Sequence, residues 1–419
     1  MRIVKRLFFV VAALLVLALP AWADAPTING NSVVFFGPAT AAEIAAANDE
    51  FRKENGNPAE MKIDAREIDD ATLAVICKTW PRVTHLTLLN SPALTTLAPL
   101  AALANLQSLY LSDVPAPLDL AFVKSCPKLK GLLLNDATVI NFAALAGHPT
   151  LCQLGLSETK GVTDFAPLGT LTNLQSLALP NASAPVDLAF VKGCPKLKGL
   201  LLDGATVTNF AALAGHPTLC ELDLDRTKGV TDFAPLGTLA NLESLGLANA
   251  PAPVDLAFVK GCPKLETLLL SGATVTNFAA LAEHPALCVL GLSGTKGVTD
   301  FASLGTLANL EFLDLDNAPA LVDLAFAKGC PKLGTLLLTD ATVTNFAALA
   351  GHPTLHILNL DGTKGVTAVD FLADCPRLER IDADAALFPA AKVKELEAKA
   401  QAAGRELRIV TPLIPLIVY

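Results

Sequence analysis

From about residue 59 onward the chain repeats one pattern of apolar and polar positions every 22 or 23 residues. Each unit opens L-x-x-L-x-L. Leu197, Leu200 and Leu202 do this, then Leu219, Leu222 and Leu224, then Leu242, Leu245 and Leu247. The alternation L-x-L predicts a short strand with one buried face. The second half of the unit carries apolar residues three apart, such as Val230, Phe233, Leu236 and Leu239, which suits a short helical or 3₁₀ return. One such coil cannot bury its own apolar face, but stacked coils bury it jointly. Three units form a longer repeat of 68 residues: LAFVKSCPKLKGLLL from Leu120 returns from Leu188, Leu256 and Leu324 with few changes.

The L-x-x-L-x-L units resemble the leucine-rich repeat family. The stretch GVTDFAPLGTLANLESL (Gly229–Leu245) is similar to the internalin-type bacterial subclass, and the resemblance covers roughly residues 59–384. It implies an α/β solenoid: a right-handed horseshoe of about fourteen coils, with a parallel concave sheet of about fourteen or fifteen strands and short helical or 3₁₀ convex segments. One departure matters. The family places Asn or Cys nine residues into the unit, where this chain has Ala205, Thr227, Ala250, Ala273 and Thr295. Threonine replaces that residue in one coil of three and alanine does not, so the turn after each strand is expected to rely on backbone bonds or water.

The flanks differ from the repeat. Residues 1–23 combine Arg2, Lys5 and Arg6 with the apolar run LFFVVAALLVLALP and the small-x-small site Ala21-Trp22-Ala23, the pattern of a secretory signal peptide. No cysteine follows that site, so no lipid anchor is expected. Residues 24–58 read as an N-terminal cap, with Thr40 opening a helix and Gly56 closing it. The solenoid occupies 59–386. Residues 387–419 read as a C-terminal cap: Pro389 starts a helix, Gly404 stops it, ELRIV adds a strand, and the apolar tail packs on the final coil. The expected location is secreted or periplasmic.

Charge narrows the partners. The formal charge of -9 becomes more negative by three when residues 1–23 are removed, so no nucleic acid and no membrane insertion are expected. Hydrophobic content of 52% against 17% charged residues predicts a large core.

Nine cysteines in an exported chain raise the question of disulfides or metal. Aligned on the strands, five of them share one inward-facing column: Cys126, His148, Leu171, Cys194, His216, Leu239, Cys262, His284, Leu307, Cys330, His352 and Cys375. Coils stack ~4.8 Å apart, so like cysteines three coils apart lie ~14 Å apart, beyond disulfide reach. Cys152, Cys220 and Cys288 form a second set with the same spacing. Zinc needs about four converging ligands, and the column offers two or three in a line. Buried apolar filling is the expected role, with the histidines capping backbone groups of the return loops. No metal site and no cofactor are expected. The chain has no G-x-S-x-G, H-E-x-x-H, phosphate-binding glycine loop or C-x-x-C. Its aspartates sit in repeated phrases such as T-D-F and V-D-L, which is scaffold work, so no catalytic residue is expected.

The copies differ mainly at the strand positions that face outward. Gln153, Glu221, Val289 and Ile357 succeed one another at one site, and Gly155, Asp223, Gly291 and Asn359 at the next, while Lys160, Lys228, Lys296 and Lys364 are constant. Variation confined to one face predicts a binding surface. The candidate partner-binding residues are Tyr110, Gln153, Glu221, Asp223, Leu269, Val289, Phe312, Asp314, Leu337, Ile357 and Asn359. Leu269, Val289, Phe312, Leu337 and Ile357 are expected to form a contiguous apolar patch with Asp314 and Asp316 as its polar rim. The expected function is non-enzymatic recognition of a protein or other macromolecule, adhesion or host contact by analogy with internalins. The alternatives are a periplasmic structural or assembly protein without a single ligand, and a hydrolase whose site carries no known motif.

Overall fold

A computed structural model describes residues 26–56 and 58–411. The signal-peptide segment 1–23 and the apolar tail after Thr411 lie outside the described residues. Eighteen strands form one open sheet, and seventeen of them run parallel. The exception is Thr27–Asn29, which pairs antiparallel with Ser32–Phe36 at the N-terminal end. The sheet is longer than the repeat alone predicts, because Ser32–Phe36 and Arg408–Val410 in the flanking segments continue its ladder.

The register is that of a solenoid. Leu177 pairs with Leu200, Leu200 with Leu222, and Leu222 with Leu245, so equivalent residues of successive coils stand side by side. The leucines face inward: Leu197, Leu200, Leu202, Leu219, Leu224, Leu242 and Leu245 have no exposed surface. At the leading edge one carbonyl serves two donors, as Gln175 O accepts from Lys198 N at 2.8 Å and from Gly199 N at 3.0 Å.

The returns are 3₁₀ helices in every three-coil unit, for example Phe210–Leu213, Ala234–Thr238 and Leu256–Gly261. A 3₁₀ helix is thinner than an α-helix, and a thin return suits coils stacked at strand spacing. The aspartates of the repeated phrases cap these helices: Asp187 Oδ1 accepts from Ala189 N at 2.8 Å and Asp232 Oδ1 from Ala234 N at 2.9 Å. Phenylalanines stack between returns, with Phe210 and Phe233 edge-to-face at 6.1 Å. Gly169 and Gly193 mark the tightest approach. A Cβ on Gly193 would stand 1.8 Å from Gly169 O.

Both ends are covered. Helix α1 (Ala41–Asn55) has a reciprocal cap: Thr40 Oγ1 accepts Glu43 N at 3.3 Å, and Glu43 accepts Thr40 N at 2.7 Å. Gly56 ends it at φ 63°. Helix α2 (Asp70–Thr79), capped by Asp69, is an α-helical return, whereas the returns of the later coils are 3₁₀. It packs on α1 on one side and on the 3₁₀ return Ala98–Ala102 on the other. Helix α3 (Ala390–Ala402) follows Pro389. Its Glu397 Oε1 accepts Ile409 N at 3.1 Å, which occupies a donor on the last strand's open edge.

Candidate functional site

The strand register sorts the outward side chains into two columns. The first runs Ser108, Gly131, Gln153, Ser176, Gly199, Glu221, Ser244, Thr267, Val289, Phe312, Thr335, Ile357, Arg380 and Arg408. The second holds Tyr110, Asp223, Leu269, Asp314, Leu337, Asn359 and Asp382 on their respective strands. All eleven candidate residues therefore lie on the outward face of one sheet, but they do not share one surface.

Two expectations need correction. Val289 is only 8% exposed. It stands in register between Thr267 and Phe312, and cross-strand neighbours at this spacing are close enough to cover a short side chain. The apolar patch is also broken. Thr335 separates Phe312 from Ile357, and Asp314 and Asn359 flank Leu337. Of the proposed patch only Ile357 is strongly exposed, at 36%; Leu269, Phe312 and Leu337 are half-buried.

The turns after the strands close through the backbone, as expected: Ala205 N donates to Leu202 O and Ala273 N to Leu270 O, both at 2.9 Å. In one coil of three, threonine takes the family asparagine's place as expected: Thr159 Oγ1 donates to Leu134 O at 3.0 Å and Thr295 Oγ1 to Leu270 O at 2.9 Å. In some copies an outward side chain adds a further bond within the turn. Asp223 accepts from Asp225 N at 2.9 Å, Asp314 from Asp316 N at 2.9 Å, and Asn359 from Asp361 N at 3.0 Å. Asp225 and Asp316 then reach across to the next coil, accepting Ala248 N at 2.7 Å and Thr339 N at 2.6 Å. These carboxylates serve the fold as well as facing outward. Burial pushes the Asp225 carboxyl up to about 6, against the Ala248 hydrogen bond and with help from Asp223 and Asp203. Arg226 pairs with Asp203 on the neighbouring turn.

Tyr110 is held by Asn135, whose Nδ2 donates to its hydroxyl at 3.2 Å. Gln153 and Glu221 are exposed and close no turn. They, with Phe312 and Ile357, are the copy-specific residues free of a hydrogen-bonded structural duty among the described contacts.

The cysteine column is buried as expected. Cys126, Cys194, Cys262, Cys330 and Cys375 have no exposed surface, and no disulfide joins any cysteine among the described residues. Each thiol of the column donates to a carbonyl of the preceding coil, Cys194 Sγ to Leu168 O at 3.2 Å. Burial raises the Cys194 thiol to about 11, which makes it a poor nucleophile. The histidines do cap the loops: His216 Nε2 stands 3.1 Å from Cys194 O, so this nitrogen carries the proton. Burial holds the imidazole below its ordinary range. Among the described residues no three His, Cys, Asp or Glu side chains gather as a metal ion would need. Cys194→Ala should lower stability by about 1–3 kcal/mol, the scale of a small buried cavity. Cys194→Leu should be milder, because Leu171 and Leu239 fill the same column. Urea unfolding of the two variants decides it, and a leucine variant weaker than the alanine one would sink the filler assignment.

One feature escaped the sequence pattern. At the leading edge of the last coils, an open cavity of about 740 Å³ is lined by Arg377, Arg380, Arg405, Arg408 and His356. Its signal was the pair of R-x-x-R phrases RLER and RELR, whose second arginines, Arg380 and Arg408, stand in register. Among the described residues no helix is long and apolar enough to cross a membrane.

No protein-family model and no curated protein matches the chain. Solved structures do. An internalin of Listeria monocytogenes is 17% identical over 81% of this chain and 93% of its own, with a TM-score of 0.58. A plant peptide hormone receptor, RGFR1 in complex with RGF2, is 16% identical over 83% of this chain and 57% of its own, with a TM-score of 0.59. TLR13 in complex with ssRNA13 is 17% identical over 77% of this chain and 54% of its own, with a TM-score of 0.55. One of these solenoids thus carries a peptide hormone and another an RNA, so the fold by itself does not choose the ligand class. Short repeats, a parallel ladder in register, 3₁₀ returns and these likenesses give the chain the leucine-rich-repeat solenoid fold, of the kind seen in the internalin.

Proposed function

We propose that the chain is an exported, non-enzymatic binding protein that recognises another protein through the open face of its long sheet. The observation that carries this reading is the first outward column. Gln153, Glu221, Phe312 and Ile357 differ from copy to copy, face outward and close no turn, while the buried leucines and the capping aspartates of the same coils repeat. Such variation on one side of a solenoid suits recognition. The net charge of -9 favours a protein over a nucleic acid, since a phosphate backbone would be repelled. Release to the periplasm or the cell exterior follows from the N-terminal pattern, and adhesion or host-surface contact from the likeness to internalins. A structural or assembly role has support at Asp223 and Asp314 alone, whose differences between copies follow turn closure.

Residues 24–419, immobilised and exposed to candidate surface-protein fractions, should retain one protein in near-stoichiometric amount. Phe312→Ala/Ile357→Ala should lose it while melting like the parent, because neither side chain closes a turn. Retention of the same protein by the double variant would refute recognition through this face, as would turnover of an ester, peptide or glycoside substrate by the parent chain.

A further inference from the structure

We propose that the arginine-lined cavity at the leading edge of the last coils seats a carboxylate side chain of an acidic polypeptide; this deepens the protein-binding reading and rests on it. Four of the ten arginines in the chain converge on this one cavity of about 740 Å³. Their states differ. Arg380 is neutralised by Asp382, its Nε 3.0 and 2.9 Å from the two carboxylate oxygens. Arg405 is fixed by backbone, donating to Cys375 O at 2.7 Å and to the Ala373 carbonyl. Arg377 and Arg408 are exposed and make no ion pair among the described residues. Guanidinium groups remain charged at every working pH, so two cations outside any formed ion pair face this opening.

The chemistry of the lining selects the ligand. Glu379 and Glu406 also border the cavity. With the Arg380–Asp382 pair set aside, they leave about one net positive charge, which matches a carboxylate better than a dianionic phosphate or sulfate. Arginine's planar fork binds a carboxylate with two parallel hydrogen bonds. A long polyanion is disfavoured by Asp361 and Asp384, which lie beyond the opposite ends of these strands. The cavity opens beside Ile357, which pairs in register with Arg380. An Asp or Glu followed by an apolar residue therefore meets a cation and an exposed apolar side chain in sequence. The described chain does not block this approach, since the last strand runs from Arg408 at the cavity to Val410 at the far edge.

The test uses a fluorescein-labelled peptide of alternating Glu and Leu, read by anisotropy against residues 24–419. Saturable binding is expected, weakened about tenfold or more by Arg377→Glu/Arg408→Glu, the scale expected for a charge reversal at an ion-paired contact. Both arginines are exposed, so the fold should survive; if the reversed chain melts early, Arg377→Ala/Arg408→Ala is read in the same way. Absence of saturable binding, or equal affinity in the arginine variants, overturns the proposal. So does displacement of the peptide by inorganic phosphate at concentrations where acetate has no effect, since that would make the cavity a phosphate site. Phe312→Ala, which leaves Ile357 beside the cavity in place, separates the two readings. Loss of the protein partner in that variant with unchanged response to the arginine variants rejects the cavity alone, and the reverse pattern rejects the strand face alone.

Discussion

Phe233→Ala should be the most damaging single change in the solenoid, lowering stability by about 3–5 kcal/mol. Phe233 is 3% exposed and lies at the start of the return Ala234–Thr238, where it meets the edge of Phe210 at 6.1 Å. The same pairing recurs at Phe142–Phe165, Phe278–Phe301 and Phe346–Phe371. Truncation removes a large apolar side chain, leaves a cavity and deletes an edge-to-face contact. The thin returns on either side are held by short backbone ladders, which limits how far they can move to fill the space. Urea unfolding measures the loss. Hydrogen exchange should place it in the coils next to Phe233, because each coil of a solenoid touches chiefly its neighbours. A loss below about 1 kcal/mol, or protection lost evenly along the chain, would contradict this account of the convex side.

Gly261→Ala should cost about 1–3 kcal/mol although it adds only one methyl group. A Cβ at this position would lie 1.7 Å from Gly237 O and 2.6 Å from Gly237 C, so backbone must shift. No φ requirement is involved; the constraint is the approach of one return to the next. The chain itself carries a natural comparison. Gly169 faces Gly193, Gly237 faces Gly261 and Gly305 faces Gly329, all with the same short approach. In the first copy the corresponding residues are Ala101 and Ser125, so both members change together. Ser125→Gly should therefore be nearly neutral, and Gly261→Ala clearly harmful, in paired thermal melts. Equal melting of Gly261→Ala and the parent would mean the returns are looser than their hydrogen bonds imply.

The alternation of leucines along the chain was enough to specify the strands, their buried faces and the stacking of coils. A period-2 pattern tells which side of each strand is apolar, and a fixed repeat length places equivalent residues side by side. For the same reason the burial of Cys194 and the loop-capping place of His216 were legible, since alignment put them in a column with Leu171 and Leu239. Thr40, Gly56 and Pro389 marked the end helices because capping is local chemistry. What the alternation does not contain is the identity of the residue on the next coil. Val289 is outward by pattern but covered between Thr267 and Phe312, and the apolar patch is interrupted by Thr335 and Asp314. Asp314 and Asp316 look like a polar rim along the chain, yet their carboxylates hold backbone amides of Asp316 and Thr339. Helix α2 is wider than the later returns, and it packs on α1 on one side and on the 3₁₀ return Ala98–Ala102 on the other. The arginine cavity joins Arg377 and Arg380 to Arg405 and Arg408 across helix α3. Each of these depends on contacts between segments distant along the chain, and such contacts are set by how the coils and caps dock.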